Sequence, residues 1–240
     1  MKPLYLAAAL ALAAGGALAQ DTVRIGSEGA YPPYNFINDA GDLDGFEIEL
    51  GNTLCERMGL TCEFVQNEWD SIIPNLASGN YDLIMAGMSI TPEREEVVDF
   101  TQNYIPPTAS AYVGLSPDVD VTTGVVAAQT GTIQAAHVAS SGATLLEFAT
   151  PEETVAAVRN GEAEAVFADQ DYLEPLVEAS GGELAFVGEP VAIGGGIGAA
   201  FRDSDDSLRE EFDAAIQAMK DDGSLNEMIV KWFGQDAVTY

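Results

Sequence analysis

Histidine occurs once in these 240 residues, cysteine twice, and lysine and arginine together only nine times, against 39 aspartates and glutamates. Two cysteines with one distant histidine make a poor zinc set, since a structural site wants four nitrogen or sulfur ligands. The shortage of cations excludes nucleic acid and anionic membrane surfaces as partners, because both are bound through rows of lysine and arginine. Cationic small molecules remain compatible with the charge. An acidic surface suited to a salty habitat explains most of the carboxylates equally well, so the charge by itself names no ligand. Beyond the first 19 residues no stretch approaches the roughly 18 consecutive apolar positions of a membrane helix, and stable membrane insertion is not expected. No low-complexity linker marks a domain boundary. No serine or cysteine nucleophile motif surrounds His137, which lies inside the pattern IQAAHVA. A histidine without an oriented partner reads as an ordinary surface or half-buried side chain.

The chain starts MKPLYLAAALALAAGGALA, one lysine followed by an apolar centre and a small-residue end, which reads as a secretory signal over residues 1–19. Cleavage near Gln20 leaves eight basic residues against 39 acidic ones. No cysteine near that point could carry a lipid, so a soluble periplasmic protein is expected. The remaining roughly 220 residues can bury a sizeable core, as one large domain or two of about 100. Cys55 lies near the end of the helical pattern EIELGNTLCERM, Gly59 stops it, and Cys62 starts the strand-like CEFVQ. Across so short a turn a local disulfide is geometrically easy, and an oxidising compartment favours it over two free thiols.

Strand and helix signals alternate: TVRIGS, a helix over 47–58, CEFVQ, a short helix near 71–78, DLIMAG and a helix over 92–98. After a proline-rich passage at Tyr104 to Thr108 the pattern resumes with GVVAAQ, helices near 133–140 and 152–160, EAVFAD and a helix near 171–179. Such alternation predicts α/β lobes with mainly parallel sheets, covered by helices on both faces. A weak repeat supports two lobes. LASGNYDLIMAG (76–87) and VRNGEAEAVFAD (158–169) share a helix end, a glycine (Gly79, Gly161), an acidic residue (Asp82, Glu164) and a strand. The match places Gly87 and Asp169 at equivalent strand ends, where open α/β sheets bind ligands.

Arg94 follows Thr91, a plausible N-cap, and Pro92, a favoured first helical residue. A cation there opposes the helix dipole, so a role in meeting an anion is indicated, with Ser89 and loop N–H groups as further donors. A guanidinium fork suits a carboxylate. Pairing of Arg94 with Glu95, Glu96 or Asp99 is the plainer alternative. Asp169, across a cleft, would supply the anion for an ammonium; by itself it could equally be a helix cap or a solvated acid. Thr132 starts the next helix as a second anion site. Glu28 and Tyr31 lie in a loop pinned by Pro32 and Pro33, and Trp69 precedes Asp70, read as a helix cap. These aromatics could stack on an apolar or cationic side chain, or simply pack.

The segments EGAYPPYNF, DGFEIELGNTLCERM with Cys62, GMSITPER, QTGTIQ and AVFAD together resemble the periplasmic polar amino-acid-binding proteins of ABC importers, especially the lysine/arginine/ornithine and histidine group. The resemblance spans the mature chain. It implies the type II two-lobed α/β fold, with a ligand cleft between lobes and two crossover hinge strands: residues 20–106 plus 193–240 in lobe 1, and 107–192 in lobe 2. It also implies hinge closure on the ligand, an inner-membrane ABC permease as partner, a monomer, and no cofactor. Carried over by position, Arg94 would meet the ligand carboxylate with Ser89 and Thr132. Asp169 would hold the α-ammonium with the Gly87 carbonyl, and Gln134 would help at the polar end. Tyr31 and Trp69 would sandwich the side chain, and Glu28 would meet its distal end and select a cation. Ala86 and Gly87 replace a serine pair of the family, Ile133 a threonine, and Gln129 an apolar residue, so arginine, lysine, ornithine, histidine and opines such as octopine all remain candidates.

An enzymatic alternative exists on the same fold, the cyclohexadienyl dehydratases, but these need a proton donor aimed at a leaving group, whereas a complete amino-acid clamp points to reversible binding. A receptor ectodomain is disfavoured by the absence of a membrane span before Tyr240.

Overall fold

A computed structural model describes residues 22–240; the expected signal segment lies outside the described residues. In chain order the strands are β1 (Val23–Ser27), β2 (Ala30–Tyr31), β3 (Asn35–Ile37), β4 (Leu43–Asp44), β5 (Cys62–Gln66), β6 (Leu83–Ile84) and β7 (Asp99–Phe100). Then come β8 (Ala109–Gly114), β9 (Val125–Gln129), β10 (Thr144–Phe148), β11 (Ala165–Asp169), β12 (Ala185–Ala192) and β13 (Ala200–Phe201). The helices are α1 (Phe46–Met58), α2 (Ile72–Ala77), α3 (Ile133–Ser140), α4 (Pro151–Arg159), α5 (Gln170–Ala179), α6 (Asp206–Asp221) and α7 (Ser224–Phe233).

Two five-stranded sheets form, in the orders β5-β1-β6-β13-β7 and β10-β9-β11-β8-β12, with a small hairpin sheet β2-β3-β4. Their composition corrects the expectation of mainly parallel sheets. In each large sheet two pairings are parallel and two antiparallel. The antiparallel partners, β13 in one sheet and β8 with β12 in the other, adjoin the segments that run between the sheets. There Ile105 bridges Ile197, so the two crossing segments lie side by side.

Alternation along each strand distributes the core. In the first sheet Ile25, Leu83 and Phe201 pack with α1, α6 and α7 through Leu50, Leu54, Phe212 and Ile229. The next residues along, Ile84 and Ala200, face Trp69, Ile72 and Leu76 around α2. In the second sheet Ala165 and Phe167 join Val138 of α3, whereas Val166 faces Val155, Val158 and Leu173 of α4 and α5.

The repeat is reproduced bond for bond. Gly79 and Gly161 both adopt left-handed φ, +77° and +74°, just past α2 and α4. Asn80 N–H donates to the Asn75 carbonyl at 3.0 Å and Glu162 N–H to the Ala157 carbonyl at 2.8 Å, the same helix-ending bond in both halves. Asp82 N–H then reaches the Arg24 carbonyl and Glu164 N–H the Val125 carbonyl, each at 2.8 Å. Cys55 and Cys62 form a disulfide with a Cα separation of 6.2 Å, joining the last turn of α1 to β5.

Two local expectations need correction. Residues 92–97 form consecutive turns and no helix: Glu95 and Val98 N–H bond back four residues, but the chain leaves for β7 immediately afterwards. Thr91 still accepts from Arg94 N–H through Oγ1 at 3.2 Å, the interaction expected of an N-cap. Asp70 is no cap; it lies in a 3₁₀ turn, Trp69–Ser71, that runs into α2.

Candidate functional site

A cavity of about 320 Å³, counting the space at its mouth, opens between the two sheets. The strand-end loops after β1, β6 and β9 and the end of β11 all deliver residues to it. Its lining holds all nine expected residues, Glu28, Tyr31, Trp69, Gly87, Ser89, Arg94, Thr132, Gln134 and Asp169, and also Ala86, Gln129 and Ile133.

Arg94 makes no ion pair among the described residues, which sets aside the pairing with its acidic neighbours. Its guanidinium donates to the Ser89 carbonyl at 2.8 Å and, across the cleft, to the Gly131 carbonyl at 3.4 Å. It also stacks over the Trp69 ring at 5.2 Å. Carbonyl bonds orient the fork without neutralising it, so the full positive charge stays available to an anion. Burial pulls its pKa down to about 10, and the Asp169 carboxylate opposes that shift.

Asp169, at the start of α5, accepts from Tyr31 Oη at 2.8 Å and from Gln134 Nε2 at 2.9 Å. Desolvation raises its pKa to about 6, with Asp171 adding to the rise and Tyr31 and Arg94 opposing it. Tyr31 is stacked on Tyr172, with ring centroids 4.5 Å apart, as well as bonded to Asp169, so its ring is fixed from two directions. Trp69 meets the Arg94 cation, and both aromatics line the cavity. Thr132 caps α3 by accepting from Ala135 N–H at 3.1 Å. Glu28 is buried and accepts from Gln129 Nε2 at 2.6 Å; burial, with Glu47 repelling its charge, raises its pKa to about 7.

The sequence reading missed Glu47, wholly buried at the first turn of α1. Both of its oxygens accept from Gly87 N–H, at 2.7 and 2.9 Å, Asn35 Nδ2 donates at 2.7 Å, and the Tyr104 hydroxyl makes a very short bond to it. This carboxylate fixes the loop after β6 with Gly87 at φ +62°. A signal was present, because Glu47 shares the buried stripe of Leu50, Gly51 and Leu54 at helical spacing, where an acid needs a reason. Tyr172 and Ser110 also touch site residues, and neither carries a motif. His137 lies outside the cavity lining, with its ring against Phe167 at 5.1 Å.

The profile of the bacterial extracellular solute-binding proteins, family 3, matches residues 23–235. The chain belongs to that family. Among relatives of this family 3 protein, the L-arginine-binding protein of Pseudomonas aeruginosa is 35% identical over 254 residues, covering 98% of each chain. The octopine-binding periplasmic protein of Rhizobium meliloti is 31% identical over 289 residues, again covering 98% of each. Among solved structures, a periplasmic His/Glu/Gln/Arg/opine family-binding protein from Silicibacter pomeroyi in complex with lysine superposes with a TM-score of 0.90. It shares 70% identity and covers 91% of this chain and 100% of its own. The type II two-lobed fold of the family is the fold of this family 3 protein.

Proposed function

We propose that this family 3 protein binds a cationic L-amino acid in the cavity between its lobes, in the periplasm, and hands it to an inner-membrane ABC permease. Lobe 1 comprises residues 20–106 and 193–240, lobe 2 residues 107–192, and residues 1–19 direct export. The observation that carries the reading is the arrangement of three charges around one cavity. Among the described residues the cation Arg94 stands without a carboxylate partner, and two carboxylates, Asp169 and Glu28, sit at separate strand ends. That set complements a ligand with one carboxylate and two cationic groups. Arg94, Ser89 and Thr132 take the α-carboxylate; Asp169, held by Gln134 and Tyr31, takes the α-ammonium beside Gly87; Trp69 and Tyr31 wall the side chain; Glu28 meets its distal charge. The relatives named for arginine and octopine, and the neighbour solved with lysine, support the same ligand class.

The dehydratase reading lacks a comparable observation, since the two cavity-lining carboxylates with raised pKa are also the two that a bound diamino acid would pair with. Calorimetry against the twenty amino acids, with ornithine and octopine, tests the proposal. Tight binding of arginine, lysine or ornithine, with the ligand recovered unchanged, supports it; tight binding of only neutral or acidic ligands, or turnover of prephenate or arogenate, overturns it.

A further inference from the structure

We propose that Gln129 is a specificity-determining residue of this site: with Glu28 it forms an acceptor pair, one member from each lobe, that favours a guanidinium over an ammonium. The inference rests on the reading that the site takes a cationic amino acid.

Glu28 and Gln129 occupy the same place in the two halves. Arg24 and Val125 accept the equivalent bonds from Asp82 and Glu164, and four residues onward from each lie Glu28 and Gln129. The pseudo-equivalent side chains meet across the cleft, with Gln129 Nε2 donating to Glu28 Oε1 at 2.6 Å. The same nitrogen donates to the Ala149 carbonyl at 3.1 Å. Two acceptors need two N–H groups, so the amide orientation is fixed; turned over, its oxygen would oppose a carboxylate and a carbonyl. Oε1 of Gln129 is therefore left as an acceptor on a side chain that lines the cavity together with Glu28.

Both residues are buried, 8% and 6% exposed, so an acceptor here gains little from bulk water and most from a ligand donor. A guanidinium spreads five N–H groups over a rigid plane and can donate to a carboxylate and a neighbouring amide oxygen together. An ammonium gathers three donors on one nitrogen and is satisfied by the carboxylate and a water. An apolar residue at position 129 would leave Glu28 as the sole distal acceptor and level the two ligands.

The test titrates arginine, lysine and glutamine into the wild-type protein and into Gln129→Leu and Gln129→Met, with thermal melts as the folding control. The expected result is a fall in arginine affinity of at least tenfold, a fall for lysine of less than threefold, and no fall for glutamine. An unchanged arginine-to-lysine ratio in a folded variant overturns the inference while leaving the cationic-ligand reading intact. Wild-type protein that binds neither cation overturns both. Nω-methylarginine, which keeps the charge and exchanges one N–H donor for a methyl, probes the unmutated protein: it should bind at least tenfold more weakly than arginine, and equal affinity removes the acceptor pair.

Discussion

The two lobes are built from one repeating unit, yet at equivalent strand ends they carry opposite chemistry. After β6 the chain reaches Gly87, which contributes a bare peptide whose N–H is anchored on the buried Glu47. At the matching end of β11 it reaches Asp169, which contributes a carboxylate held by Tyr31 and Gln134. The same asymmetry recurs one strand over, where Glu28 faces its counterpart Gln129. A duplicated scaffold supplies paired positions, and unlike residues at those positions give the cleft a direction, with separate places for a cation and for anions. A symmetric cleft could not orient a ligand whose two ends differ in charge.

The comparison breaks most completely when a charge of the clamp is removed. Arg94→Ala and Asp169→Ala should each weaken amino-acid binding by about 3–5 kcal/mol, because each leaves a charged ligand group unpaired in a closed site. Arg94→Lys should recover part of the loss, since one ammonium cannot reproduce a planar fork. Calorimetry with arginine measures all three, and wild-type affinity in either alanine variant would place the ligand elsewhere. Glu28→Gln comes next, at about 1.5–3 kcal/mol for arginine or lysine and much less for a neutral amino acid, as expected for one charge-assisted bond. Equal losses for both ligand classes would make Glu28 a structural residue only.

The features legible in the sequence were those with local physics. Glycine stops and period-two strands are written in consecutive residues, and the repeat aligns Gly79 with Gly161 on sequence alone. The nine site residues fell together because strand-end loops in a doubly wound fold converge on one edge. What was not legible depends on distant partners. The short strands β7 and β13 are strands only because β13 pairs with β7 on one side and with β6 on the other, across some hundred residues. Residues 92–97 carry a good helix start, but the return to β7 ends it within two turns, so tertiary pairing overrode the local signal. Glu47 looked like an ordinary first-turn acid, and only its packing against Gly87, Asn35 and Tyr104 identifies it as a buried hub.

The raised carboxylates make the site pH-dependent. A cation binds ionised Glu28, whose unliganded pKa lies near 7, so arginine affinity should fall as pH drops from 8 to 6, toward about tenfold per unit below that pKa. Binding near pH 7 should release protons, detectable as a dependence of the calorimetric heat on buffer ionisation enthalpy. The stability of the ligand-free fold follows the opposite sense. The folded state keeps a proton on Glu28 that the unfolded chain, with a pKa of about 4.3, gives up, so this group's contribution declines as pH rises from about 4 through 7. Glu28→Gln should therefore melt higher than wild type at pH 7.5, by an amount worth about 1–3 kcal/mol, and converge with it at pH 4.5. A gap that stays constant with pH would mean that Glu28 titrates normally.

The smallest effect probes the scaffold and leaves the site alone. Gly79 and Gly161 hold left-handed φ at matched helix ends, and a Cβ at either would meet nothing within 4 Å. Replacing them with alanine therefore creates no clash, only the backbone penalty of a left-handed L-residue, about 1 kcal/mol in each case. Chemical denaturation should report nearly equal losses for Gly79→Ala and Gly161→Ala, and arginine affinity should not change in either. Gly87→Ala is the contrast, because its φ of +62° lies inside the cleft and an added Cβ sits 3.4 Å from the Tyr31 ring. There the same backbone penalty falls on a residue that lines the cavity, and the added methyl takes up space beside the Tyr31 ring, so binding should weaken along with stability. If Gly79→Ala also weakened binding, the two halves would be coupled through their helix ends, and the division between a shared scaffold and an asymmetric cleft would fail.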